Sequence, residues 1–147
     1  MTTKEFEMQL ALGALSYDMK LKLARNSNTP KKVLAILATD KEWWIRSCVA
    51  ENSNTTTKIL IKLSTDKDWG VRSNVAMNPN TSIEILTILS TDKDWNVRYY
   101  VAMNPNTPAN ALTILSKDES WNVRSNVTRN LNTSKKALTK LSKDGDQ

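Results

Sequence analysis

The chain has no histidine, a single cysteine, three glycines and one phenylalanine among its 147 residues. Each scarcity closes a class of function. Without histidine, the commonest general base and the commonest transition-metal ligand are missing. The lone thiol, Cys48, allows no internal disulfide and no thiolate cluster, and it suits a reducing cytosol. A cytoplasmic protein with no cofactor and no metal cluster is therefore expected. So few glycines cannot furnish a Gly-rich phosphate loop, and no acid–base pair stands at a special spacing. An enzyme is the least expected class. No uninterrupted apolar run is long enough to span a bilayer, so no membrane segment is expected. The opening MTTKEFEMQLALGALSYDMK sets acids among its apolar residues and lacks the basic start of a signal peptide.

What the chain has in abundance is itself. Residues 91–116, TDKDWNVRYYVAMNPNTPANALTILS, recur with a 26-residue step at 65–90, 39–64 and 117–142. Trp43, Trp69, Trp95 and Trp121 keep the step, as do Arg46, Arg72, Arg98 and Arg124, and Asn54, Asn80, Asn106 and Asn132. A weaker copy begins at Ser16, with Tyr17 in the Trp column and Lys20 in the Arg column. A short fixed period means stacked units whose apolar faces close only against neighbours.

Each unit divides into two helical pieces, A and B. The A piece follows an Asn-x-Asn-Thr turn and carries paired leucines at i, i+3, from Leu34/Leu37 to Leu138/Leu141. Val33, Ile59, Ile85, Ala111 and Ala137 widen that stripe, each leucine contributing about 1.5–3 kcal/mol on burial. Thr29, Thr55, Thr81, Thr107 and Thr133 are expected as helix N-caps, with Glu84 completing a capping box on Thr81. The B piece reads Asp-Trp-x-Val-Arg-x-x-Val-Ala, its apolar residues spanning roughly 140° of a helix. Asn26, Asn52, Asn78, Asn104 and Asn130 end the B pieces as turn formers able to take a left-handed backbone. Nothing alternates with period two, so no sheet is expected. The reading is an all-α α-solenoid of about five 26-residue hairpins, each pairing a longer A helix with a short B helix. Residues 1–15 form a cap helix over 3–14, residues 16–142 the repeats, and 143–147 a frayed tail of one repeat domain.

The pattern Asp-x-x-x-Val-Arg-x-x-Val-Ala-x-Asn-Pro-x-Thr-Pro followed by Leu-x-x-Leu stands nearly intact at Asp92–Leu115. It resembles the leucine-rich repeat variant family, and the resemblance runs over about residues 16–144. It implies a right-handed superhelix of alternating α- and short 3-10-like helices, without β-structure. Members with an iron–sulfur cluster hold it in a Cys-rich N-terminal segment; residues 1–15 here contain no cysteine, so no cluster is carried over.

Two sets of residues are candidates for contact. Columns that differ between copies are free of packing duty, and in the B pieces they hold Trp44, Asn74, Asn96, Tyr99, Tyr100, Asn122 and Asn126. This polar, aromatic and weakly charged ridge suits an extended ligand, either peptide backbone or unstacked bases. The A pieces carry Lys31, Lys32, Lys58, Lys62, Lys135, Lys136 and Lys140 against Glu84, so the whole net charge of +6 lies in that layer, at its two ends. Ile61, Ile83, Ile88 and Ile114 between them are expected to pack between A helices or to form an apolar patch. The Trp column reads as inter-repeat wedges rather than stacking platforms, and the Arg column as a ladder to the recurring Asp40, Asp66, Asp92, Asp118 and Asp144. The expected function is a monomeric, non-enzymatic scaffold for a protein or extended peptide. Nucleic-acid binding through the lysine-rich A helices and exposed aromatics is the alternative.

Overall fold

The 26-residue period folds as alternating B and A helices behind a cap helix. The computed structural model describes residues 1–11 and 13–144. Helix α1 (Thr3–Ala11) is the cap. The B helices are α2 (Tyr17–Arg25), α4 (Trp43–Glu51), α6 (Trp69–Met77), α8 (Trp95–Met103) and α10 (Trp121–Arg129). The A helices are α3 (Lys31–Leu37), α5 (Thr57–Leu63), α7 (Ile83–Leu89), α9 (Ala109–Leu115) and α11 (Lys135–Asp144). Among the described residues every helix is α and no strand occurs; the molecule is an all-α solenoid of tandem repeats. No described helix is long and apolar enough to cross a membrane.

The relative lengths reverse the expectation. A complete B helix has nine residues, whereas α3, α5, α7 and α9 have seven each. The short A helix still buries its whole stripe, because Leu at i and i+3 with an apolar residue before them needs only two turns. Leu60, Leu86 and Leu112 are fully buried. Leu138 in α11, which packs on a described neighbour at one side alone, is 37% exposed. The B helices pack directly on one another, α2 on α4 on α6 on α8 on α10. Val71, Val75 and Ala76 and their equivalents in α4 and α8 are fully buried there, as are Ala24, Val123 and Val127, and these mostly small side chains permit close approach.

The threonine column is not at the N-caps. Each A helix is capped one residue later, at Pro30, Thr56, Ser82 and Pro108, with the Thr56 and Ser82 hydroxyls accepting from Ile59 and Ile85 N–H. The buried threonines look the other way. Thr29, Thr55, Thr107 and Thr133 donate at 2.6 Å, and Thr81 at 2.5 Å, to the carbonyl six residues back in the preceding B helix. They close orphan carbonyls at a C-terminus, which burial makes more urgent than an N-terminus open to water. The Glu84 box with Thr81 accordingly does not form; the Ser82 hydroxyl is what lowers the Glu84 pKa.

The asparagines do not take a left-handed backbone either. Asn26, Asn52, Asn78, Asn104 and Asn130 lie at φ between −78° and −65°, in extended conformation. Their side chains bolt unit to unit. Asn52 Nδ2 donates to Ala24 O at 2.7 Å and Asn26 O at 3.0 Å, and Asn78 to Ala50 O at 2.7 Å and Asn52 O at 3.1 Å. Asn104 and Asn130 repeat this on Ala76 O and Ala102 O. Each Oδ1 accepts the N–H two residues on, and in Asn52, Asn78 and Asn130 both amide N–H groups donate as well. The second asparagines reach back as well, Asn54 to Thr29 O and Asn80 to Ser53 O.

The Asp/Arg ladder is present, with a particular connectivity. Arg72 Nη1 donates to the carbonyl of Asp66, six residues before it, while Nε and Nη2 fork onto the Asp92 carboxylate, twenty residues ahead, at 2.7 and 2.9 Å. Arg46 grips Asp66 and Arg98 grips Asp118 in the same way, and Lys20 makes a single bond to Asp40 at 2.8 Å. Arg124 Nη1 keeps the bond to Asp118 O. The expected Asp144 rung has its carboxylate outside the described residues.

The cap helix ends earlier than the expected residue 14. Gly13 sits at φ 64°, and Ala14 N–H reaches back to Gln9 O at 2.9 Å, a left-handed stop that glycine takes without strain. Thr2 and Glu5 form its capping box, and Phe6 is fully buried against the first unit. Leu10, expected beside Phe6, is 39% exposed, and Leu12 lies outside the described residues. At the far end α11 includes Lys143 and Asp144, so the expected tail begins two residues too early; 145–147 are outside the described residues.

Three outcomes check this account. Asn104→Ala, which strips the carbonyls of Ala76 of a buried donor, lowers stability by about 1–3 kcal/mol in a thermal or denaturant melt. Arg98→Ala, which leaves the Asp118 carboxylate without its partner, costs about 3–5 kcal/mol. For Asp40, Asp66 and Asp92, burial raises the pKa, but the cationic side-chain donor and the backbone N–H outweigh it and hold each carboxyl below its ordinary value. Their stabilisation is complete above about pH 5 and is lost as pH falls through the lowered folded values. Melting temperature should therefore fall steeply in acid, and less steeply in Asp92→Asn.

Candidate binding surface

A B helix packed on both neighbours and on the A layer keeps little free surface. With Val71 at 0° on the wheel, Ser73 lies at roughly 200° and Asn74 at roughly 300°. Ser47, Cys48, Ser73 and Asn126 in those columns are buried, and Asn74, Tyr99 and Tyr100 are half-buried. The solvent-facing ridge expected there is largely an interface between units. Asn74 Nδ2 donates to Ser47 Oγ at 2.9 Å and Asn126 Nδ2 to Tyr99 O at 3.4 Å, each across a repeat boundary. Tyr99 and Tyr100 meet edge to face at 5.1 Å and pack on the core. Only the columns near 250° open outward. They hold Trp44 (39% exposed), Asn96 and Asn122, with Glu51, Met77, Met103 and Arg129 one turn on. Asn96 is tied to the Asp94 carboxylate, and Trp44 carries the Arg25 guanidinium 5.9 Å above its ring. Copy-to-copy variation misled here, because an interface between units can be refilled by different polar pairs.

The larger exposed feature is the column read as wedges. Tyr17, Trp43, Trp69 and Trp95 are 43–48% exposed, and Trp121 is 67% exposed. Each opens a B helix, just after the N-cap residue that aims it; Asp68 Oδ1 accepts from Gly70 and Val71 N–H at 2.9 and 3.4 Å. Half of each ring does act as a wedge: a Cβ at Gly70 would stand 3.4 Å from Trp43 Cζ3, so the indole rests on the next unit. Trp121 has no next unit, and its extra exposure follows. The other half faces solvent in all five units. Trp43 stands edge to face with Trp44 at 5.2 Å and Trp95 with Tyr99 at 6.3 Å. The sequence held the signal: the wheel sets Trp69 at roughly 160°, about 20° beyond Ala76 and so on the rim of the buried arc.

All seven A-layer lysines are exposed. Ile61, Ile83, Ile88 and Ile114 are 46–65% exposed, so the expectation that they pack between A helices is not met. A-layer neighbours meet only weakly compared with B-layer ones. Between α2 and α4 lies an open groove of about 520 Å³ lined by Arg25, Ser27, Cys48, Glu51, Asn52 and Ser53. A shallower groove of about 320 Å³ recurs between α8 and α10, lined in part by Tyr99, Met103, Asn126 and Arg129. Burial pushes the Cys48 thiol above its ordinary pKa, and Arg25 offsets this only in part, which makes it a poor nucleophile.

With every tryptophan at least 39% exposed, intrinsic fluorescence should be red-shifted in the folded state and quenched by acrylamide. A blue emission resistant to quenching would contradict the exposed row.

Compared with known proteins, the chain matches no family model, and no curated sequence matches it.

Proposed function

We propose that the solenoid is a non-enzymatic scaffold that takes an extended polypeptide along the edge formed by Tyr17, Trp43, Trp69, Trp95 and Trp121. The observation that carries this reading is the exposure of half of every ring in that column, in all five units. The buried requirement of each B helix is already met by its Val, Val and Ala residues, so the stack itself leaves apolar aromatic surface in water that a partner would cover. Aromatic side chains held on a rigid frame are the residues that anchor interfaces, and repeats present them at regular intervals. Trp44, Asn96 and Asn122 border the same edge and belong to the proposed surface; Asn74, Tyr99, Tyr100 and Asn126 support it from the unit interface. Membership of the leucine-rich repeat variant family, a cytoplasmic location and a monomeric state accompany this proposal.

The nucleic-acid alternative rests on the exposed lysines. Those of the A layer stand in two groups, on α3 and α5 and on α11, separated by α7 and α9 with Glu84 and exposed isoleucines, while exposed Lys41, Lys67 and Lys93 each stand between carboxylates in the loops. A polyanion prefers an unbroken basic track, which weighs toward a polypeptide.

The test is a panel of unstructured peptides and a single-stranded nucleic-acid pool, each titrated at rising salt. The Trp69→Ala/Trp95→Ala variant should lose about 1–3 kcal/mol of peptide affinity per ring while melting near the parent temperature. Lys135→Ala/Lys136→Ala should alter only association rate and salt dependence. If the lysine variant loses binding and the tryptophan variant keeps it, the polyanion reading replaces this one.

A further inference from the structure

We infer that the polypeptide suited to the aromatic edge is a proline-rich segment in the polyproline II conformation, lying along the stack with one ligand turn on each repeat. This rests on the scaffold reading and specifies its ligand.

Spacing is the first ground. Successive B helices meet through valine and alanine, which sets their axes about 8–10 Å apart. A polyproline II helix advances about 3.1 Å per residue with three residues per turn, or about 9.3 Å per turn, so every third residue returns to the same face within that helix-to-helix interval. An extended strand covers a similar length in three residues but turns the third side chain to the opposite face. One α-helical turn is about 5.4 Å and two are about 10.8 Å, outside the interval.

Hydrogen-bond chemistry is the second. Trp43, Trp69, Trp95 and Trp121, 43–67% exposed as residues, each carry an indole N–H that can only donate. A proline-rich chain is the opposite: its prolines have no N–H, and the carbonyls of polyproline II make no internal bonds. A row of donors faces a row of acceptors. The perpendicular pairs Trp43/Trp44 and Trp95/Tyr99 add aromatic surface of the kind proline-rich chains dock on.

Charge is the third. Around Trp69 the loop holds Asp66, Lys67 and Asp68 with Arg72, which cancel, and Asp66 is gripped by Arg46 while Asp68 caps α6. The loop charges around Trp43, Trp69 and Trp95 each sum to zero, with Lys41, Lys67 and Lys93 exposed beside Glu42, Asp68 and Asp94, so the edge as a whole matches an uncharged ligand better than a polyanion. The rings are also pre-placed, since Trp43 rests on the next unit at Gly70, and little freedom is lost on binding.

The experiment is fluorescence anisotropy with end-blocked, fluorescein-labelled oligoprolines of six, nine, twelve and fifteen residues, and a Gly-Ser peptide of equal length. Affinity should rise several-fold with each added triplet, and the Gly-Ser peptide should not bind. Trp69→Ala/Trp95→Ala should weaken the twelve-residue peptide roughly tenfold or more. Should that variant melt early, Trp121→Ala at the most exposed rung serves instead, weakening the fifteen-residue peptide and sparing the six-residue one. Affinity indifferent to length, or equal binding by the variants, overturns the inference. A reduced, carboxymethylated protein chain is the second probe: if it binds through the tryptophans and oligoproline does not, the polyproline assignment falls and the scaffold stands. If neither binds, both fall.

Discussion

Helices of seven and nine residues leave about half of their backbone groups without an intrahelical partner, and this is the constraint on which the rest of the structure depends. Four N–H groups at one end and four carbonyls at the other are a far larger share than in a long helix. The solenoid answers with side chains held at fixed register. Thr81 takes the Val75 carbonyl, Asn78 takes those of Ala50 and Asn52, and Arg72 takes that of Asp66 while gripping Asp92 in the next unit. Burial makes each of these bonds expensive to lose, because the group left behind cannot turn to water.

Register explains why the period is strict. The bonds connect residues 20 and 26–28 positions apart, so an insertion anywhere in a unit would break several together. Hydrophobic burial alone would tolerate more drift, since Val33, Ile59, Ile85 and Ala111 replace one another in the A stripe and all stay buried. Departures gather at the ends, where one neighbour is missing. Lys20 makes a one-pronged version of the arginine fork, Phe6 stands in for a leucine pair, and Leu138 and Trp121 show the surface that a further unit would cover.

The surface is what this internal bonding leaves over. The arginines that could have gripped phosphate are buried in the ladder, and the asparagines that could have read a ligand backbone are bound to neighbouring units. What stays available is the half-exposed aromatic edge, the lysines and isoleucines of the A layer, and the narrow outward strip around Trp44, Asn96 and Asn122. The first is the most regular of these, because the same ring that rests on its neighbour presents its remaining surface in every unit.

By itself the sequence determined the repeat, its all-helical class, the buried leucine and valine stripes and the structural role of the arginines, because these follow from periods that one chain displays. Arg72 fell inside the apolar arc, and an arginine there needs a carboxylate. Direction and partner were another matter. Thr81 and Asn78 were identifiable as polar residues at helix ends, but which end each serves depends on which carbonyls the neighbouring unit brings near. The exposure of Trp69 and the burial of Ser73 and Asn126 were likewise decided only in the tertiary structure. A helical wheel reports one helix, whereas a B helix is enclosed by two further B helices and the A layer. How much of its circumference stays in water is set by how closely those neighbours approach.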